Sequence, residues 1–121
     1  MQTTPSPNLT SRIDYGSHYY PSRLRDLYDP PASLYIYGDI ELLKLPMVAI
    51  VGSRNASLEG LKNAHLFAQA LSKVGVMILS GLAKGIDSAA HQATIELGPK
   101  HFTAAVLGTG IDVVYLSLIH I

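Results

Sequence analysis

The chain has 121 residues, nine basic and nine acidic side chains, 48 % hydrophobic content and no cysteine. That length makes one domain or part of one, and the composition is globular, not disordered. Balanced charge excludes a global basic field, so nucleic-acid binding would rest on local placement of cations, and the missing cysteines exclude disulfides and thiolate metal sites.

The opening, MQTTPSPNLTSRIDYG, has no apolar core of the kind a secretory signal needs. Its Thr, Pro, Ser and Asn show no periodicity, so residues 1–14 read as a flexible leader. Tyr15, Tyr19 and Tyr20 crowd the next stretch. Packing at the domain's outer edge is the plainer reading; stacking on bases is the other. Leu24, Leu27 and Tyr28 follow at helical spacing. Asp29-Pro30-Pro31 stops that helix, because prolines lack the N–H donor and restrict the residue before them. Leu34 to Tyr37 reads as a short strand ending at Gly38.

The next stretch has the grammar of a βαβ unit: strand, glycine turn, helix, strand, glycine turn. The run 47–51, Met-Val-Ala-Ile-Val, is apolar at every position, as expected of a central parallel strand covered on both faces. It breaks at Gly52-Ser53-Arg54. A helix follows, with Ser57 as N-cap and Glu59 in its first turn, where the dipole favours an acid. Leu61, Ala64, Ala68 and Leu71 share one face, which Phe67 and Val74 widen. Lys73 sits in the last turn and Gly75 suits the position just past it. The strand 76–79 then breaks at Ser80-Gly81-Leu82-Ala83-Lys84-Gly85. Asp87 is the expected cap of the next helix. Ile86, Ala90, Ala93 and Leu97 line its buried side, and Gly98-Pro99 ends it. A third strand, Phe102 to Leu107, runs into Gly108-Thr109-Gly110-Ile111-Asp112. The fold class is α/β: a Rossmann-like open parallel sheet with helices on both faces. A truncated sheet is expected, since such sheets normally have five or six strands. No run reaches the roughly 18 apolar residues of a membrane span, so a cytoplasmic protein is expected.

In such sheets ligands bind beyond the carboxyl ends of the strands. Both glycine turns belong on that edge. Gly52, Ser53 and Arg54 supply flexibility, a hydroxyl and a bidentate cation; Ser80, Gly81, Lys84 and Gly85 supply the same with a mobile point charge. The partner that suits them is a phosphate chain, although Gly52-Ser53-Arg54 taken alone is also an ordinary turn. Gly81 to Gly85 is no Walker loop, because the Gly-Lys-Ser/Thr end is missing, and ATP is not expected. Gly108-Thr109-Gly110 lacks the third glycine of a dinucleotide fingerprint, since position 113 is valine. His91 lies four residues after Asp87 on one helix face. A general-base pair is conceivable there, and a hydrogen-bonded structural histidine is the plainer reading. The other histidines show no metal spacing, and no nucleophile–base–acid set emerges.

The motifs VAIVGSR, SGLAKGID, AAH and GTGID, in that order, resemble those of the DprA (Smf) family of DNA-processing proteins. Upstream, Tyr20-Pro21, Asp29-Pro30-Pro31 and Leu34-Tyr35-Ile36-Tyr37-Gly38 match the family's opening segment. The resemblance covers roughly Tyr20 to Tyr115, so residues 15–115 read as a partial domain of that family. In the family GTGID leads to a tyrosine-proline pair; here Tyr115 is followed by Leu116, and residues 116–121, LSLIHI, form an atypical tail. The resemblance implies a single-stranded-DNA-binding recombination mediator, not an enzyme. It further implies no cofactor, protection of incoming strands, loading of RecA recombinase in natural transformation, and a homodimer in the full-length protein. It assigns Arg54 and Lys84 to DNA contact.

Two enzymatic alternatives share the sheet. A lysine-decarboxylase-like phosphoribohydrolase acting on nucleotides carries a PGG-x-GT-x-E signature, and this chain has neither the PGG nor that glutamate. A nicotinamide oxidoreductase is disfavoured by the missing fingerprint.

Overall fold

The computed structural model describes residues 10–107. It divides into two compact units, Met1–Lys44 and Leu45–Ile121, so the domain expected over 15–115 spans parts of both.

In the first unit, β1 (Thr10–Asp14) pairs antiparallel with β2 (Ser33–Tyr37), in register from Thr10↔Tyr37 to Asp14↔Ser33. The flexible leader expected over 1–14 is thus corrected at residues 10–14. A five-residue strand needs few inward side chains, here Ser11 and Ile13. Its outward polar residues have the composition of a leader. The strand expected at 34–37 is β1's partner and no member of the parallel sheet. Leu24 lies in a 3-10 helix, Ser22–Asp26, while Leu27 and Tyr28 fall outside it and are exposed. A second 3-10 helix covers Ile40–Lys44.

Ile13, Tyr20 and Ile40 form the core of this unit, flanked by Tyr19, Leu24, Leu34, Ile36 and Leu43. Tyr20 is buried and donates its hydroxyl to the Pro31 carbonyl at 2.7 Å, so it is a packing tyrosine. The Arg25 guanidinium donates to the carbonyls of Tyr15 and Ser17, 2.9 Å each, and lies over both the Tyr15 and Tyr20 rings. One cation thereby fastens the 15–20 turn.

The second unit is an α/β fold with a parallel, Rossmann-like sheet of order β3-β4-β5: β3 Met47–Ala49, β4 Met77–Ser80, β5 Thr103–Ala105. Val48 faces Ile78 across the first pair, and Leu79 faces Ala104 across the second. Only β4 has the buried profile of a central strand. The strand at 47 was expected to be central; among the described residues it is an edge strand with Val48 38 % exposed. Apolar content alone does not say which neighbours a strand has.

Helix α1 (Leu58–Lys73) begins where its cap predicts: Ser57 Oγ accepts from the Gly60 N–H at 3.0 Å. It ends before Gly75, whose φ of 92° suits glycine. Helix α2 (Ile86–Glu96) ends before Gly98, φ 106°. Its N-cap is Gly85, not the expected Asp87, which sits in the first turn. Ile78 packs with Ala68 of α1 and with Ala90 and Ala93 of α2, so both described helices cover one face of the sheet. Alanines at these positions let the helices approach closely. The narrow seam explains why Phe67 and Val74, expected to widen it, are 65 % and 75 % exposed. The glycine motif 108–110 and the tail 116–121 lie outside the described residues.

Candidate nucleic-acid interface

The turns after β3 and β4 leave the sheet at the same edge and are joined directly. Ser80, at the end of β4, is buried and donates its hydroxyl to the Ile50 carbonyl. The Gly52 N–H donates to Asp87 Oδ1 at 3.2 Å, and the Ile86 N–H donates to the Ser53 carbonyl at 3.2 Å. Gly85, at φ 81°, presses against the carbonyls of Ser53 and Arg54, where a side chain has no room. A Cβ at Gly52 would meet Ile86 Cγ1 at 2.7 Å, and one at Gly81 would meet Asp87 Oδ2 at 2.8 Å.

The expected site residues thus sort themselves. Arg54 and Lys84 are exposed on adjoining loops, and neither forms an ion pair among the described residues. Ser53 is exposed too; its Oγ accepts from the Asn55 N–H at 3.1 Å and keeps its own proton for another acceptor. Gly52, Gly81 and Gly85 are each demanded by close contacts among the two loops and α2. Ser80 is corrected: its hydroxyl is committed to Ile50 and does not face the loop surface. The Gly52 and Ile86 N–H groups are taken by protein acceptors, and the Asp87 carboxylate occupies the first turn of α2. A carboxylate so placed disfavours an anion at the start of α2.

His91 is buried with both ring nitrogens engaged. Nε2 lies 2.6 Å from the Gly81 carbonyl and donates to it, since a carbonyl only accepts. Nδ1 lies 2.6 Å from Thr103 Oγ1, which is also 2.9 Å from the Ile78 carbonyl. Burial lowers the His91 pKa from its ordinary value; the Gly81 hydrogen bond and the charge of Asp87 oppose this. The structural reading of His91 fits this packing. The Asp87–His91 spacing is legible in the sequence; that the two side chains reach the loops after β3 and β4 is not. The i, i+4 interval was the available signal. No group of three potential metal ligands occurs among the described residues, and no described helix is long and apolar enough to cross a membrane.

The family model for DNA recombination-mediator protein A matches residues 11–118. The chain is 49 % identical to the DNA processing protein DprA of Streptococcus pneumoniae over 96 residues, 79 % of this chain and 33 % of that protein. It is 37 % identical to protein Smf of Escherichia coli over 103 residues, 85 % of this chain and 27 % of that one. It thus spans about a third or less of the length of these relatives. The X-ray structure of the pneumococcal DprA superposes with a TM-score of 0.80 at 44 % identity, covering 87 % of this chain and 36 % of that one. A DprA structure from Helicobacter pylori, described by its single-stranded DNA binding mode, superposes at 0.62 with 34 % identity, covering 69 % and 38 %. By family match, identity and fold together, the chain belongs to the DNA recombination-mediator protein A family.

Proposed function

We propose that this chain is the single-stranded-DNA-binding part of a cytoplasmic recombination mediator, with Arg54 and Lys84 as its phosphate contacts and Ser53 as a hydroxyl donor beside them. The observation that carries this reading is the pair of exposed cations, without an ion-pair partner among the described residues, on two interlocked loops at the carboxyl edge of β3 and β4. Cations on two adjoining loops favour an anion between them. A guanidinium binds phosphate through a planar fork and an ammonium as a point charge. Phosphate contacts position a strand without reading its sequence, which suits a protein that takes any incoming strand. The single-stranded DNA binding named for the Helicobacter relative supports the same choice of ligand. On this reading the complete protein protects incoming strands in natural transformation, delivers them to RecA recombinase and acts as a homodimer. It turns over no substrate.

The test is Arg54→Ala and Lys84→Ala, singly and together, titrated with oligo-dT at several salt concentrations. Each lost contact flattens the slope of log affinity against log salt by about 0.7. Lys100→Ala is the control, because Lys100 lines a cavity at the opposite edge of the sheet; its effect on affinity is small and its slope unchanged. An unaltered slope in the double variant sinks the assignment. Hydrolysis of ATP or a nucleoside monophosphate that depends on His91 would favour an enzyme instead.

A further inference from the structure

We infer that α2 sets the spacing between Arg54 and Lys84, with Asp87 and His91 as the positioning residues that hold one loop each. This rests on the DNA-binding reading for its purpose, and on the bonds of α2 for its mechanism.

Four hydrogen bonds run from the first two turns of α2 to the two loops. Toward the β3 loop, the Ile86 N–H donates to the Ser53 carbonyl and Asp87 Oδ1 accepts from the Gly52 N–H. Toward the β4 loop, Ser88 Oγ donates to the Ala83 carbonyl at 2.9 Å and His91 Nε2 donates to the Gly81 carbonyl. Asp87 and His91 are four residues apart, so they stand one above the other on one helix face. That face grips the residues on which Arg54 and Lys84 depend.

Neither residue reaches DNA itself. Asp87 is 6 % exposed and His91 3 %, so each acts through the loop it holds. An acid in a helix's first turn ordinarily serves its own helix. Here its acceptor oxygen is aimed at a donor 35 positions away in the chain. A buried carboxylate is costly without such partners, and the partner it has is the start of the arginine loop. Holding both loops before DNA arrives removes the ordering cost that binding would otherwise carry.

The chain has no cysteine, so Arg54→Cys with Lys84→Cys gives a clean pair of spin labels. In the otherwise unchanged chain the distance distribution between labels is narrow. Asp87→Ala and His91→Ala broaden it. Asp87→Asn, which keeps an acceptor oxygen in place, leaves it narrow. Where the alanine variant does not fold, Asp87→Ser serves: it is tolerated near a helix N-terminus yet too short to reach Gly52. With Arg54 and Lys84 restored, Asp87→Ala weakens oligo-dT binding about tenfold and flattens the salt slope by about 0.7. Adding Arg54→Ala to it costs less than Arg54→Ala alone, as expected of coupled residues. A structural role alone lowers the melting temperature without changing the slope. Unbroadened distances in Asp87→Ala and His91→Ala, or full additivity with Arg54→Ala, overturn the inference. Broadened distances together with no effect of Arg54→Ala and Lys84→Ala on DNA leave the brace standing and reject the DNA reading.

Discussion

Gly75 and Gly85 both hold a positive φ, 92° and 81°, at opposite ends of the same strand, β4. Around Gly75 there is nothing within 4 Å of where a Cβ would stand; around Gly85 the carbonyls of Ser53 and Arg54 fill that space. The contrast extends to the whole of each end. At the amino edge, Leu45, Ser72, Gly75, Met77, His101 and Phe102 are among the residues that line a cavity of 130 Å³. Ser72 Oγ and His101 Nδ1, both on that lining, lie 2.9 Å apart. At the carboxyl edge, hydrogen bonds and glycine contacts fix residue after residue. Side-chain and glycine contacts between loops are thus concentrated at the carboxyl edge, whereas the amino edge is held by backbone hydrogen bonds such as Met77 N–H to the Pro46 carbonyl at 2.8 Å and Gly75 N–H to the Ser72 carbonyl at 3.0 Å.

Gly85→Ala should break the comparison hardest. It combines a strained φ with a backbone collision, and a loss of about 3 kcal/mol or more is expected by chemical denaturation. Gly75→Ala carries only the conformational penalty, about 1 kcal/mol, and should leave the affinity for oligo-dT unchanged. Equal losses at the two positions would show that the ends are built alike.

The pH response sharpens the comparison more gently. His91 belongs to the carboxyl end, and burial places its folded pKa below the ordinary 6.5 of a histidine. The unfolded chain therefore binds the proton first. Stability is unaffected by this residue above pH 6.5 and falls as pH drops from there towards the folded pKa, because protons then favour the unfolded state. Melts between pH 7.5 and about 5 should show that fall in the parent chain. In His91→Gln it should be shallower. An identical slope in both would remove His91 from the account.

Much of the second unit was legible in the residues. The Ser57 cap, the Leu61–Leu71 face and the glycines at 75 and 98 are local signals, and each acts within a turn or two of its own position. The placement of Arg54 and Lys84 on neighbouring loops was legible too, since strand, turn and crossover helix fix it. What escaped depends on partners far along the chain. Asp87 looks like a cap in sequence because its distant donor, Gly52, cannot be inferred from its neighbours. Ser80 looks like a ligand because its commitment to Ile50 is equally remote. The β1 strand was missed for a different reason: only Ser11 and Ile13 face inward, too few to set up an alternation among Thr, Arg and Asp.

The bond from Ser80 to Ile50 bears on how the two cations are levelled. It ties the last residue of β4 to the residue just past β3, in line with the Ala49↔Leu79 pairing beneath it. Sliding β4 by one residue would turn Ile78 away from both helices. The smallest slide that keeps it inward is two residues, about 6.6 Å along the strand. The height of the lysine loop over the arginine loop can therefore change only in coarse steps, and the serine hydroxyl marks which step is native. If Arg54 and Lys84 are the phosphate contacts proposed above, fine adjustment is left to their side chains. On that reading a long flexible ammonium and a planar guanidinium would give one adaptable contact and one exacting one.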